Sequence, residues 1–160
     1  MARKTFNDKL RDFKDLPKIV VVENEKSIKL FGGKNMLIAS PLEYNGIMAK
    51  IPKGKLITTR EIREFLSKKH GADFTCPMTA GIFISLAAQA SFERNYSKIP
   101  FWRTLKSGGE LNPKYPGGIE FQKDMLECEG HKIIIKGRKF LRYFVEDYEN
   151  NLYDLSQINK

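Results

Sequence analysis

Apolar positions in the first forty residues come in two short β-branched bursts, Lys18-Ile-Val-Val-Val22 and Met36-Leu-Ile-Ala39. Between them Glu25 to Phe31 reads as a turn of helix that Gly32 and Gly33 end. Residues 18–39 are therefore expected to form a small α/β extension whose two strands pair into a fragment of sheet. Residues 1–17 are highly charged, close on Pro17, and read as a loose arm or one short helix.

From Ser40 the pattern changes period. Ser40-Pro-Leu-Glu43 offers an N-cap, a proline at the first helical position and a glutamate at the third, so a helix is expected to about Lys50. Pro52 and Gly54 mark a turn, and Thr58-Thr-Arg-Glu61, a second capping box, opens a helix to about Lys69, with Ile62, Phe65 and Leu66 on one face and Gly71 at its end. Thr75-Cys-Pro77 starts a third, apolar nearly all the way round from Ala80 to Ala90. Leu105 to Leu111 then reads as a glycine-turned hairpin. Pro116 to Glu129 reads as a last helix, with Phe121, Met125 and Cys128 on its inner stripe. Ile133-Ile-Ile135 and Phe140 to Val145 form a closing hairpin around Lys136-Gly-Arg138, and the tail after Tyr148 is expected to fray. Two capped helices, a loop and a hairpin predict an α+β fold: a winged helix-turn-helix with a small N-terminal α/β extension and a C-terminal β-hairpin. The expected divisions are an extension at 1–45, the winged-helix domain at 46–148 and a tail at 149–160.

Composition narrows the class. In 160 residues no apolar run reaches the roughly 18–20 a membrane helix needs. The first residues lack the apolar core of a secretory signal, so a cytoplasmic protein without a membrane partner is expected. Two cysteines fit a reducing compartment. The formal net charge of +9 favours a polyanionic partner. Arg94, Lys98, Arg103 and Lys106 flank the middle of the chain, and Lys132, Lys136, Arg138, Lys139 and Arg142 follow it, so basic charge concentrates in the winged-helix half.

Residues 99–130 carry the most specific pattern: Ile99-Pro-Phe-Trp-Arg103, Ser107-Gly-Gly109, Tyr115-Pro-Gly-Gly118 and Glu127-Cys-Glu-Gly130. Ile51-Pro-Lys-Gly-Lys-Leu-Ile-Thr-Thr59 precedes them. In this order the segments resemble the C-terminal domain of the O-6-alkylguanine-DNA alkyltransferases, with Ile-Pro-Cys-His-Arg-Val, Tyr-x-Gly-Gly and a helix ending Glu-Gly. Phe101 stands where that family keeps its acceptor cysteine and Trp102 where it keeps the activating histidine. The pattern is most similar to the alkyltransferase-like proteins, which bind damaged DNA without repairing it.

Alkyl transfer needs a thiolate and a base to activate it, and Phe101 supplies neither. The resemblance thus implies recognition without reaction, with no catalytic residue, no metal and no cofactor. It implies a base pocket at Phe101, Trp102, Tyr115 and Glu129. It implies a DNA face at Thr59, Arg60, Arg63, Ser85, Gln89, Arg103 and Lys106. Thr59 takes the place of the tyrosine that helps rotate the nucleotide, and Gln89 that of the intruding arginine. Each residue also has a plainer role: Phe101 and Trp102 as core, Glu129 as a hydrogen-bonded helix end, Arg103 as a backbone clamp. The expected partner is double-stranded DNA, alkylated or not, with a repair-pathway protein beyond it and the chain acting as a monomer. Two alternatives stand beside this reading. One is an alkyltransferase using Cys76, which precedes a helix start where a thiol is easily acidified. The other is a winged-helix module that binds nucleic acid or protein with no lesion specificity. A zinc site from His70, Cys76, Cys128 and His131 fits the ligand types but not the spacing.

Overall fold

A computed structural model describes residues 3–12 and 14–159, so Met1, Ala2 and Phe13 of the expected arm, and Lys160 of the tail, lie outside the described residues. Helix α1 (Phe6–Arg11) is capped by Thr5, whose side chain accepts from the Asp8 N–H. Asn7 fastens it to the third long helix through the Ala90 carbonyl at 3.0 Å, and Leu10 enters the core.

Strands β1 (Lys18–Val21) and β2 (Asn35–Ile38) pair antiparallel with Val20 opposite Met36, as their β-branched sequences predict. Helix α2 (Glu25–Phe31) lies between them in sequence; Asn24 caps it and Gly32, in the left-handed region, ends it. The extension does not stand apart. Strand β4 (Phe74–Thr75) adds to β2 in parallel, and Phe74 stacks on Phe31 at 4.7 Å between centroids.

Helix α3 (Pro41–Ala49) begins where Ser40 and Pro41 predict, with the Ser40 N–H donating to the Glu43 carboxylate at 3.3 Å. Helix α4 (Thr59–His70) buries Ile62 and Leu66 and stops at Gly71. At its start the Thr58 hydroxyl bonds the Glu61 side chain rather than completing a reciprocal cap. Helix α5 (Pro77–Glu93) buries Ile84 together with Ala80, Ala87, Ala88 and Ala90, and the alanines are small enough to let α1 and α3 approach it closely. Strand β3 (Ile57–Thr58) pairs in parallel with β5 (Thr104–Leu105), which ties the start of α4 to the segment just after Phe101.

The expected hairpin at 105–111 is a tighter feature. A 3-10 turn at Ser107–Gly109 joins a single antiparallel bridge between Lys106 and Glu110. Helix α6 (Gly118–Cys128) is shorter than predicted; of its expected inner stripe Phe121 packs on the core and Met125 is half-buried, but Cys128 is exposed, and Gln122 and Leu126 are the residues fully buried. The glutamine amide bonds the Trp102 carbonyl and the Asn112 N–H and so replaces an apolar anchor. Strands β6 (Ile133–Lys136) and β7 (Arg142–Val145) form the closing hairpin.

The tail corrects its expectation. Leu56 and Leu152 form a parallel bridge, Tyr153 N–H donates to the Leu56 carbonyl at 2.8 Å, and Leu155 packs into the core. Backbone pairing and a buried leucine offset the entropy that would otherwise fray it. Among the described residues no helix is long and apolar enough to cross a membrane.

Candidate nucleic-acid interface

The N-terminal half of α5 forms one wall of an open groove of about 880 Å³. Met78 and Ile82 stand largely exposed on that wall, and nothing lies within 4 Å of where a side chain on Gly81 would sit, so the helix backbone is approachable from outside. Facing it are Thr59 and Arg63 of α4 and the segment from Lys106 to Lys114, with Arg142 of β7 at the rim. Thr59 and Ser107 hydroxyls meet at 3.1 Å, which fixes the 3-10 turn against the start of α4.

The groove is cationic. Arg63, Lys106, Lys114 and Arg142 line it against a single carboxylate, Glu110. Glu110 is buried and grips Arg142 through two hydrogen bonds of 2.6 and 3.0 Å, yet the guanidinium keeps 61% of its side chain exposed. These bonds from Arg142 hold the Glu110 carboxyl below the usual carboxylate range, against the opposing effect of burial. The carboxylate thus positions Arg142, pairs more distantly with Lys106 at 3.8 Å, and leaves Arg63 and Lys114.

Of the expected DNA-face residues, Thr59, Arg63, Ser85 and Lys106 are brought together in this groove. Arg60 is exposed on another side of α4, where it pairs with Glu64 at 3.2 Å. The Gln89 amide donates to the Lys114 carbonyl at 3.0 Å, clamping α5 to the loop that borders the groove. Arg103 turns inward: its Nη1 donates to the Ile51 carbonyl at 2.7 Å and its other nitrogens hold Glu129.

The four expected pocket residues adjoin one another, but as a packed cluster. Phe101 is 3% exposed. Its ring stacks on Phe121 at 5.8 Å and meets Tyr115 and Trp102 edge-on at 5.4 and 5.5 Å. Tyr115 is buried as well, its hydroxyl donating to the Thr104 carbonyl at 2.8 Å. Glu129 accepts from Trp102 Nε1 at 3.2 Å and from Arg103 Nη2 at 2.6 Å. Burial raises the Glu129 pKa, but the bonds from Arg103 and Trp102 outweigh it and hold the carboxyl below its ordinary value.

Phe121 closes the cluster. Gly117 makes room for it, since a side-chain carbon there would fall 2.5 Å from the Phe121 Cβ, and its φ of +82° suits glycine. The sequence assigned Phe121 only to a helix stripe. No motif marks Lys114, Glu110 or Arg142 as site residues; the run of basic residues from Lys132 to Arg142 is the one sequence signal for the last of them.

Cys76 is the N-cap residue of α5, partly buried, with its N–H bonded to the Leu37 carbonyl. The ring cluster around Phe101 draws instead on α6 and on Tyr115. His70 bonds Glu43 at 2.6 Å, and among the described residues no three His, Cys, Asp or Glu side chains gather as a metal site.

No protein-family model matches the chain, and no curated protein does. Among solved structures it is similar to S. pombe Atl1 in complex with damaged DNA containing O6-carboxymethylguanine, at 22% identity and a TM-score of 0.47, over 71% of this chain and 94% of that one. It is also similar to S. pombe ATL in complex with DNA, at 19% identity and a TM-score of 0.46, over the same shares of the two chains. These structural neighbours are alkyltransferase-like proteins.

Proposed function

We propose that this chain binds double-stranded DNA through the groove beside α5 and transfers no alkyl group. The observation that carries the reading is the groove itself, where four cations face one carboxylate on a surface bordered by an approachable helix. A B-DNA major groove about 12 Å wide admits an α-helix. In this reading α4 and α5 act as a helix-turn-helix with α5 as the inserted helix, and the turn at 107–109 acts as a wing. Residues 46–148 are the binding unit, with the first 45 as an extension docked on it. Arg63, Lys106, Lys114 and Arg142 neutralise phosphates, and Thr59 and Ser85 contribute hydroxyls.

A second layer of the reading is a preference for alkylated or distorted duplex. The motifs from Ile99 to Gly130 favour it, with the acceptor position occupied by Phe101 and a half-buried Trp102 beside it. Extruding a base costs a few kcal/mol, and admitting one beside Phe101 also requires moving Phe121. Sensing therefore falls first to the groove, which meets the duplex before any base leaves the stack. The protein in this account is a cytoplasmic monomer that passes bound DNA to a repair-pathway protein.

Fluorescence anisotropy of an end-labelled duplex over a range of salt tests the reading. Four phosphate contacts give a log–log slope of about −3 to −4. An affinity absent at low salt, or one indifferent to salt, overturns it.

A further inference from the structure

The hairpin β6–β7 carries a second feature that the groove does not use. At its tip Phe140 is 76% exposed and Leu141 59% exposed. From Lys132 to Arg142 the chain holds Lys132, Lys136, Arg138, Lys139 and Arg142 and no carboxylate. Lys136 stands directly opposite Arg142 across the ladder, a like-charge pairing that disfavours the hairpin unless an anion is near. Glu110 answers Arg142, but among the described residues no ion pair answers Lys136, Arg138 or Lys139.

The tip has a defined shape. Gly137, at φ +108°, lies against the Phe140 carbonyl so closely that a side-chain carbon there would fall 2.2 Å from the oxygen. The chain thus folds back and leaves the Phe140 ring outside. The cations are also held in place: Lys136 Nζ sits 4.9 Å from the Phe144 ring centroid, Arg142 5.3 Å from the same ring, and Lys139 6.0 Å from the Phe140 ring. The hairpin continues the groove wall. Leu111 N–H donates to the Tyr143 carbonyl at 2.8 Å, Glu110 bridges to Phe144, and Arg142 belongs to both surfaces.

We infer that this hairpin is a second DNA-binding element, in which Phe140, with Leu141 behind it, enters the duplex as an apolar wedge while the flanking cations hold the phosphates on either side. The inference rests on the reading of the groove as a duplex site. An aromatic or leucine wedge between base steps unstacks them and kinks the duplex. A purely ionic contact needs no exposed ring at the centre of the charge, and the tip's continuity with the groove wall, which shares Arg142, selects a duplex over an anionic lipid surface.

The experiment pairs anisotropy with end-to-end energy transfer on a duplex labelled at both ends, using the full chain. Binding by the wild type should raise energy transfer, because the ends approach as the duplex bends. Phe140→Ala with Leu141→Ala removes no charge and alters exposed side chains only, so circular dichroism should show an unchanged melting profile. That variant should bind about ten-fold more weakly and bend nothing, and Phe140→Trp should restore both. Wild-type binding with an unaltered double variant overturns the wedge and leaves the groove reading intact. A variant that changes sedimentation but not DNA binding assigns the tip to a second copy of the chain and also overturns it. No wild-type binding to any duplex overturns the groove reading itself, and the wedge with it.

Discussion

Arg103 and Glu129 hold each other by two prongs, Nη2 to Oε2 at 2.6 Å and Nε to Oε1 at 2.9 Å, with 13% and 6% of their side chains exposed. Arg103 continues to the Ile51 carbonyl and Glu129 to the Trp102 indole, so the pair joins the chain before α4, the Phe101 turn and the end of α6. A carboxylate bound on both oxygens orients structure and is not poised to relay a proton.

Removing one partner of this pair strands the other. We predict that Glu129→Ala, which leaves Arg103 buried without its counter-ion, lowers unfolding free energy by about 3–5 kcal/mol in urea titration. A loss below about 1 kcal/mol, the level of an exposed pair, contradicts the role given to it here.

Acidification should act in two separate windows, the upper set by His131 and the lower by carboxylates held below their ordinary values, Glu129 with Glu43 and Glu110. His131 is 8% exposed, its Nε2 has no hydrogen-bond partner among the described residues, and burial lowers its pKa, helped by Arg103 and opposed by Glu129. Below the unfolded histidine value of about 6.5 the unfolded chain takes up a proton that the folded one refuses, so stability falls with pH until the folded value is passed. Glu129, with its pKa lowered, contributes stability above about pH 4.3 that is lost as pH falls through its folded value. Melting temperature measured from pH 8 to 3 should show both declines, and His131→Leu should flatten the upper one alone. An unchanged upper limb in that variant refutes the assignment.

The ring cluster makes its own prediction. Phe101 contacts Trp102, Tyr115 and Phe121, so Phe101→Ala opens a cavity and should cost about 3–5 kcal/mol in chemical denaturation. A cost under about 1 kcal/mol indicates a ring that was facing open space.

Much of this architecture was readable from local chemistry. Ser40 with Pro41, Pro77, Gly32 and Gly71 act through their own backbone and immediate neighbours, and the helices start or stop where these residues demand. What could not be read depends on distant partners. Strand β4 is two residues long and exists because β2 lies beside it. The tail is ordered by Leu56, far away in sequence. The inward face of α6 includes Phe121, as the apolar stripe predicts, but also Gln122, a polar residue that a search for apolar periodicity discards. The motifs from Ile99 to Gly130 put Phe101, Trp102, Tyr115 and Glu129 in one place, but whether they enclose space depended on Phe121, which no motif singles out.

The groove predicts a salt signature. Arg63→Ala with Lys106→Ala should weaken duplex binding whatever the sequence and reduce the log–log salt slope by about two. Arg60→Ala, outside the groove, should leave the slope within about half a unit. Equal effects from the double variant and from Arg60→Ala place the duplex elsewhere on the surface.

Recognition without reaction is tested most directly by intact-mass measurement of the protein held with an excess of duplex containing O-6-methylguanine, while anisotropy shows that the duplex is bound. The account predicts saturation of binding and an unaltered protein mass. A gain of one methylene on Cys76 or any other residue contradicts it, as does a duplex that is never bound.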